Sequence, residues 1–212
     1  MSKMNNIPLL YNGPDEAKSL YIFAHGAGAP MDTEFMNYFT DHLADAGVRI
    51  LRFEFPYMAL RRDGHGRRPP NGQKILLETW RQVISKARET HKGAIYIGGK
   101  SMGGRMASMI ADESQIDGLI CLGYPFYAPG KMDKPRTDHL KCLHTRTLVL
   151  QGERDVMGSK ENVDRFDLST KIAFHWLSDG DHSLKPRKKS GYTEKENLDQ
   201  AVSKIVTFLA EK

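Results

Sequence analysis

Six short runs rich in β-branched and aromatic residues constrain this chain more than any other feature. They are SLYIFAHG (19–26), VRILRFEF (48–55), AIYIG (94–98), GLICLG (118–123), TLVLQG (147–152) and KIAFHWLS (171–178). Each ends in a glycine, a proline or a polar turn, as strands do. Between them the apolar spacing changes to that of helices. Phe35, Phe39, His42, Leu43 and Ala46 fall on one face of residues 32–46, and Gly47 marks the stop. Ile75, Leu76, Thr79, Trp80, Val83 and Ala87 do the same over 73–91. Residues 102–112, a short stretch at 160–167, and 194–211 with Leu198, Val202, Ile205, Val206 and Leu209 complete the helices. Residues 57–72, rich in Arg, Gly and Pro, and residues 124–145 are expected to be irregular. Strand and helix in alternation predict an α/β fold with a mostly parallel sheet and helices on both faces.

A chain of 212 residues suits a single α/β domain over 1–212, and 40% hydrophobic with 27% charged residues describes a globular chain. Cys121 and Cys142 are too few for a disulfide framework and have no metal-ligand spacing. The first residues, MSKMNNIPLLYNGP, lack the apolar core of a signal peptide, and no apolar run approaches ~18 residues. The expectation is a cytoplasmic protein without a membrane partner. A net charge of +5 is mildly basic and favours anionic ligands only weakly.

YIGGKSMGGR, Tyr96 to Arg105, admits two chemistries. Gly99-Lys100-Ser101 resembles the end of a phosphate-binding loop, which requires G-x-x-x-x-G-K-S/T. The first glycine of that pattern would be residue 94, which is Ala94, and Ile95, Tyr96 and Ile97 favour a strand over a phosphate-wrapping loop. The same residues satisfy G-x-S-x-G, the nucleophile elbow, which needs a strand, a sharp turn and a helix in that order. AIYIG supplies the strand and MGGRMASMIA the helix. Ser101 would be lifted clear of the sheet, with the Met102 amide beside it as an oxyanion donor.

Three further stretches follow in the order this chemistry needs. FAHGAGAP (23–30) follows the first apolar strand, where a second oxyanion donor belongs; Ala27 would provide it, with His25 bracing the loop. LVLQGERDVMG (148–158) ends a strand in acidic residues. Asp155 is the candidate to orient a histidine, with Glu153 in reserve. WLSDGDHSLKPRK (176–188) places His182 after the last strand, the one histidine of eight with that context. It would act as general base and acid. Each candidate lies where open α/β sheets bind ligands, past the carboxyl ends of strands.

With HGAGA, GGKSMGGRMAS, GERD and GDHSLKPRK in place, the sequence resembles the α/β-hydrolase superfamily from about Ser19 to Leu209. The motifs are most similar to a small subgroup. It includes dienelactone hydrolase-like proteins, testis-expressed hydrolase-like proteins and the hydrolase-like domain of the third regulatory subunit of the non-specific-lethal chromatin complex. The resemblance implies a Ser101, Asp155, His182 triad, oxyanion amides from Ala27 and Met102, and no metal or cofactor. Many such relatives carry a cap after the strand that here is 118–123. Residues 124–145 are too few for a helical cap, so an open pocket roofed by short loops such as 56–72 is expected. The subgroup also holds members whose catalysis is uncertain, so a non-catalytic binding protein and an acyltransferase stay open beside a hydrolase.

Two basic loops, LRRDGHGRRPPN with Arg61, Arg62, Arg67 and Arg68, and LKPRKKSG with Lys185, Arg187, Lys188 and Lys189, leave strands on the active-site edge. They are expected either to favour an anionic ester or to form a solvated rim. They are too small for a nucleic-acid partner. Tyr124 and Phe126 are candidates for the pocket wall or for core.

Overall fold

The computed structural model describes residues 7–211. Residues 1–6, where the signal-peptide reading begins, and Lys212 lie outside the described residues. Seven strands form one sheet: β1 (Leu9–Asn12), β2 (Ser19–Ala24), β3 (Arg49–Phe53), β4 (Ala94–Lys100), β5 (Gly118–Leu122), β6 (Thr147–Gly152) and β7 (Ile172–Leu177). Their order is β1-β3-β2-β4-β5-β6-β7, parallel throughout except that β1 runs antiparallel to β3. From β2 the chain steps outward to β3; from β4 it steps the opposite way to β5. The switch point therefore lies between β2 and β4, paired from Ser19↔Ala94 to Ala24↔Gly99. The loops leaving these two strands open side by side, the place where such sheets form a crevice.

The pleat sends alternate residues to opposite layers. Tyr21, Phe23 and Tyr96 pack under α1 (Glu34–Asp45) and α6 (Glu194–Ala210), against Phe39, Leu43, Ala201 and Ile205. Leu20, Ile22 and Ile97 pack on the other side under α3 (Gln73–Thr90) and α4 (Met102–Ser108), against Leu76, Trp80, Val83 and Met106. Trp80 is wholly buried with its ring edge-on to Phe53 at 4.8 Å between centroids; truncating it to alanine would cost about 3–5 kcal/mol. The α6 start is fixed by a capping box in which Thr193 and Glu196 bond each other's backbone amides.

Several boundaries differ from the sequence expectation. Pro56 ends β3's extension but also opens a helix, α2 (Pro56–Arg62), inside the stretch read as loop. Proline has the φ of a first helical turn and no amide to leave unpaired there. Tyr57 and Met58 then turn inward, which gives α2 its anchor. The helix expected over 102–112 stops at Ser108, and α5 covers only Lys160–Val163. Ile75 is 48% exposed, one position off the inward stripe of α3. β1 has no counterpart among the six apolar runs; it is a short edge strand with Leu10 and Tyr11 exposed. Residues 124–145 carry only the short 3₁₀ turn Asp138–Leu140, so no separate cap domain covers the sheet edge. Among the described residues no helix is long and apolar enough to cross a membrane.

Candidate active site

β4 delivers Ser101 to the switch point and α4 starts at the next residue. Ser101 holds φ 50° and ψ −116°, a conformation that costs a non-glycine residue about 1–3 kcal/mol. The strain follows from how tightly the elbow packs on β2. A Cβ at Gly103 would meet the His25 carbonyl oxygen at 2.6 Å, and one at Gly99 the Ala24 oxygen at 2.3 Å. Only glycines let these backbones approach so closely.

His182 reaches Ser101 from a turn after β7. Its Nε2 lies 2.9 Å from Ser101 Oγ and its Nδ1 2.7 Å from Asp155 Oδ2. A carboxylate only accepts, so Nδ1 carries the proton and Nε2 is left to accept from the serine. Asp155 is fully buried, past the end of β6, and takes two more bonds at 2.8 Å, from Gln151 Nε2 and the Met157 amide. Gln151 also accepts from the Tyr124 amide at 2.7 Å, which ties the acid to the end of β5. Glu153 points elsewhere and accepts from the Asp179 amide at 2.9 Å.

The turn bearing His182 is held from α6. Asn197, fully buried, donates from one Nδ2 to the Ser178 carbonyl at 3.0 Å and the Leu184 carbonyl at 2.8 Å. Asp181 Oδ1 accepts from the Ser183 and Lys185 amides at 2.7 and 3.1 Å. Neither Asn197 nor Gln151 announces itself by motif, because each acts through a contact with a segment remote in sequence.

The loop after β2 is held by its carbonyls. Tyr57 from α2 donates to Ala27 O at 3.0 Å, and Arg61 Nη1 to Gly28 O at 3.4 Å. His25 is buried, with Nδ1 at 2.7 Å from Gly26 O and Nε2 accepting from the Phe55 amide at 3.2 Å. The Phe55 bond fixes its tautomer, and burial lowers its pKa. It braces the loop and is closed to solvent. Among the described residues the Ala27 amide has no backbone acceptor; the Met102 amide, first in α4, has none in its helix. A Cβ at Gly26 would lie 3.7 Å from Ser101 Cβ, so this loop borders Ser101.

A family model for the alpha/beta hydrolase domain matches residues 17–210. The chain belongs to the alpha/beta hydrolase family. Its fold is similar to that of an α/β serine hydrolase homologue from Coxiella burnetii, at 17% identity over 96% of this chain and 92% of that one, TM-score 0.74. It is also similar to an α/β serine hydrolase without lid from Xanthomonas campestris, at 15% identity, 97% and 91% coverage and TM-score 0.69. A dienelactone hydrolase from Anabaena variabilis aligns at 18% identity, 95% and 89% coverage and TM-score 0.72.

In this alpha/beta hydrolase Lys100, the residue before Ser101, turns under the histidine loop. Its Nζ donates to the His182 carbonyl and lies 5.1 Å from the centre of the Phe35 ring. Burial lowers its pKa to about 8, against the pull of Asp155 and Asp181.

Tyr124 and Phe126 are 1% exposed and belong to the core, with ring centroids 4.7 Å apart. Tyr124 meets Ser108 of α4 at 3.3 Å and Phe126 packs against Phe166 and Phe174, so the pocket-wall reading is corrected to core. Arg67 and Arg68 are exposed beyond α2. Lys185 pairs with Glu194 at 2.6 Å. Arg187 Nε donates to Asp179 Oδ1 at 3.0 Å, and this contact holds the Asp179 carboxyl down at about 2. Both charges are already answered by acids of their own surface. Arg62 is likewise engaged, by Glu54 and Asp32. A cavity of about 1250 Å³ lies at the opposite end of the sheet, lined by Ser19, Val48, Gly93 and Ala94, and does not reach Ser101. No group of three or more His, Cys, Asp or Glu among the described residues is disposed to hold a metal ion.

Proposed function

We propose that this alpha/beta hydrolase cleaves a carboxylic ester or thioester of a small molecule through an acyl-enzyme on Ser101. The observation that carries the reading is the unbroken hydrogen-bonded chain Asp155–His182–Ser101, at 2.7 and 2.9 Å. Ser101 Oγ attacks the carbonyl carbon as its proton passes to His182 Nε2. The Ala27 and Met102 amides receive the oxyanion; one such donor is worth about 10²–10³ in rate. The intermediate collapses, and His182 hands its proton to the departing alcohol or thiol. Water then enters, His182 takes its proton, and attack on the acyl carbon releases the acid and restores Ser101. Asp155 keeps the imidazole in the tautomer this requires and steadies the imidazolium.

Ser101 and His182 are both only partly covered, with no cap above them, which suits a small ester that enters from solvent. Steady-state hydrolysis of matched p-nitrophenyl acetate and an acetyl thioester tests the reading. Turnover of either, reduced about 10⁴-fold or more in Ser101→Ala and His182→Ala, is expected. Acyl transfer to added alcohols or amines in preference to water would replace hydrolysis by an acyltransferase. A folded protein that turns over neither substrate would point to the binding-protein reading.

A further inference from the structure

A partly buried guanidinium normally has a partner, because desolvating it without one is costly. Here Arg49 pairs with Asp15, Arg146 with Glu211 and Arg154 with Asp179, and Arg52 and Arg61 donate to carbonyls. Arg105 and Arg136 break this pattern. Neither is exposed. No hydrogen bond or ion pair of either guanidinium occurs among the described residues, and Arg105 Nε is closed to solvent and unpartnered.

The two belong to one cluster. Ser108 Oγ donates to the Arg105 carbonyl at 2.8 Å and lies 2.8 Å from His139 Nε2. The Tyr124 hydroxyl lies 3.4 Å from the same nitrogen and 3.5 Å from the Arg136 carbonyl oxygen. The Tyr124 hydroxyl is thus met by the Ser108 hydroxyl, the His139 ring and the Arg136 backbone, and the charges of Arg105 and Arg136 both act on it. Burial lowers the pKa of Arg105, and the Arg136 charge adds to this against Tyr124. Burial and then Arg105 lower that of His139, against Asp138. Asp138 is exposed and forms no ion pair with any of them.

Arg105 is also close to the chemistry. It stands four residues after Ser101, on the same face of the chain entering α4, and its amide donates to the Ser101 carbonyl at 3.0 Å. The Cα–Cβ bond of a helical residue tilts toward the N-terminus, so the Arg105 side chain sets out toward Ser101, about 6 Å away along the axis.

On the hydrolase reading above, we infer that Arg105 and Arg136 form an anion subsite for a carboxylate carried by the ester substrate, beside Ser101 and toward the loop after β5. The preferred substrate class is then the half-ester of a dicarboxylic acid. The carboxylate would take the place of the acid that the fold withholds from these arginines, in a charge-assisted pairing. This moves the anion preference away from the basic loops, where Lys185 and Arg187 are already paired.

The test compares kcat/KM for p-nitrophenyl hemisuccinate and p-nitrophenyl butyrate, with calorimetric binding of the non-hydrolysable succinic acid monoamide in parallel. Wild type is expected to favour the hemisuccinate at least tenfold. In Arg105→Met and Arg136→Met that ratio falls at least tenfold, largely through KM, and Arg105→Lys restores part of it. Arg81→Ala, paired with Glu113 on the outer face of α3, leaves the ratio unchanged. No preference in wild type, or equal losses on both esters in the variants, overturns the subsite. Failure of the hydrolase reading looks different: neither ester turns over, while monoamide binding persists in wild type and is lost in Arg105→Met. Absence of both turnover and binding refutes subsite and hydrolase together.

Discussion

Asn197→Ala removes a side chain that touches no reacting atom and should still impair the site. Its Nδ2 holds the two ends of the His182 turn, at 3.0 Å to Ser178 O and 2.8 Å to Leu184 O. Its Oδ1 accepts nothing in the described residues, so its polar contribution rests on those two bonds. Each is worth roughly 0.5–1.5 kcal/mol net, and the carbonyls left in the interior add a desolvation cost of about 1–3 kcal/mol. The sum is about 2–6 kcal/mol, or a fall in Tm of roughly 4–24 °C for a chain of this size. Catalysis should suffer separately. A displacement of His182 of about 1 Å is enough to cost up to about 100-fold in kcat. Asn197→Asp is the sharper control, since it keeps the shape and replaces the donor with an acceptor; it should be at least as damaging. The assay is thermal denaturation together with kcat on p-nitrophenyl acetate, measured well below the variant's Tm. A variant within 1 °C of wild type with full kcat would refute the argument that α6 positions the histidine.

Three other outcomes are expected. His25, His91, His139 and His175 all have pKa values lowered from 6.5, chiefly by burial. The unfolded chain therefore binds more protons below that value, and stability present above pH 6.5 should drop as the pH falls through it; a urea midpoint equal or higher at pH 5.5 than at pH 7.5 would contradict this. Lys100 titrates at about 8 beside the histidine loop, so kcat/KM should decline as the ammonium is lost above that pH, and Lys100→Arg should move the decline up by more than one pH unit; an identical profile in the variant would remove Lys100 from the account. Ser101→Gly should be about 1 kcal/mol more stable than Ser101→Ala, because glycine occupies φ 50° without strain; equal denaturation midpoints would mean that the elbow stores none.

The sheet was legible because β2 to β6 are buried on both faces and read as apolar runs, and the half-buried edge strand β7 keeps the same β-rich composition. The candidate triad was legible because its members follow the ends of β4, β6 and β7, so strand order alone brings Ser101, Asp155 and His182 to one edge. What the sequence withheld is of another kind. Asn197 and Gln151 lie in an amphipathic helix and a strand, where a buried amide has no local signature and its partners lie on other elements. Pro56 was read as a stop, although the same fixed φ that ends a strand can begin a helix. Lys185 and Arg187 read as free charge because their acids, Glu194 and Asp179, are separated from them by turns whose geometry is not written in spacing. Tyr124 and Phe126 follow a strand end, as pocket residues do, but the chain turns both rings into the core. Arg105 was visible as a letter in GGRMAS, yet only the missing partner, a property of the folded chain, marks it.

The most direct measurement is the intact mass of the protein after treatment with a fluorophosphonate, beside Ser101→Ala and His182→Ala. The account predicts one covalent adduct on wild type, none on Ser101→Ala and a much slower one on His182→Ala. A folded wild-type protein that gains no adduct, or one that labels equally without Ser101, would contradict the claim that this histidine activates this serine.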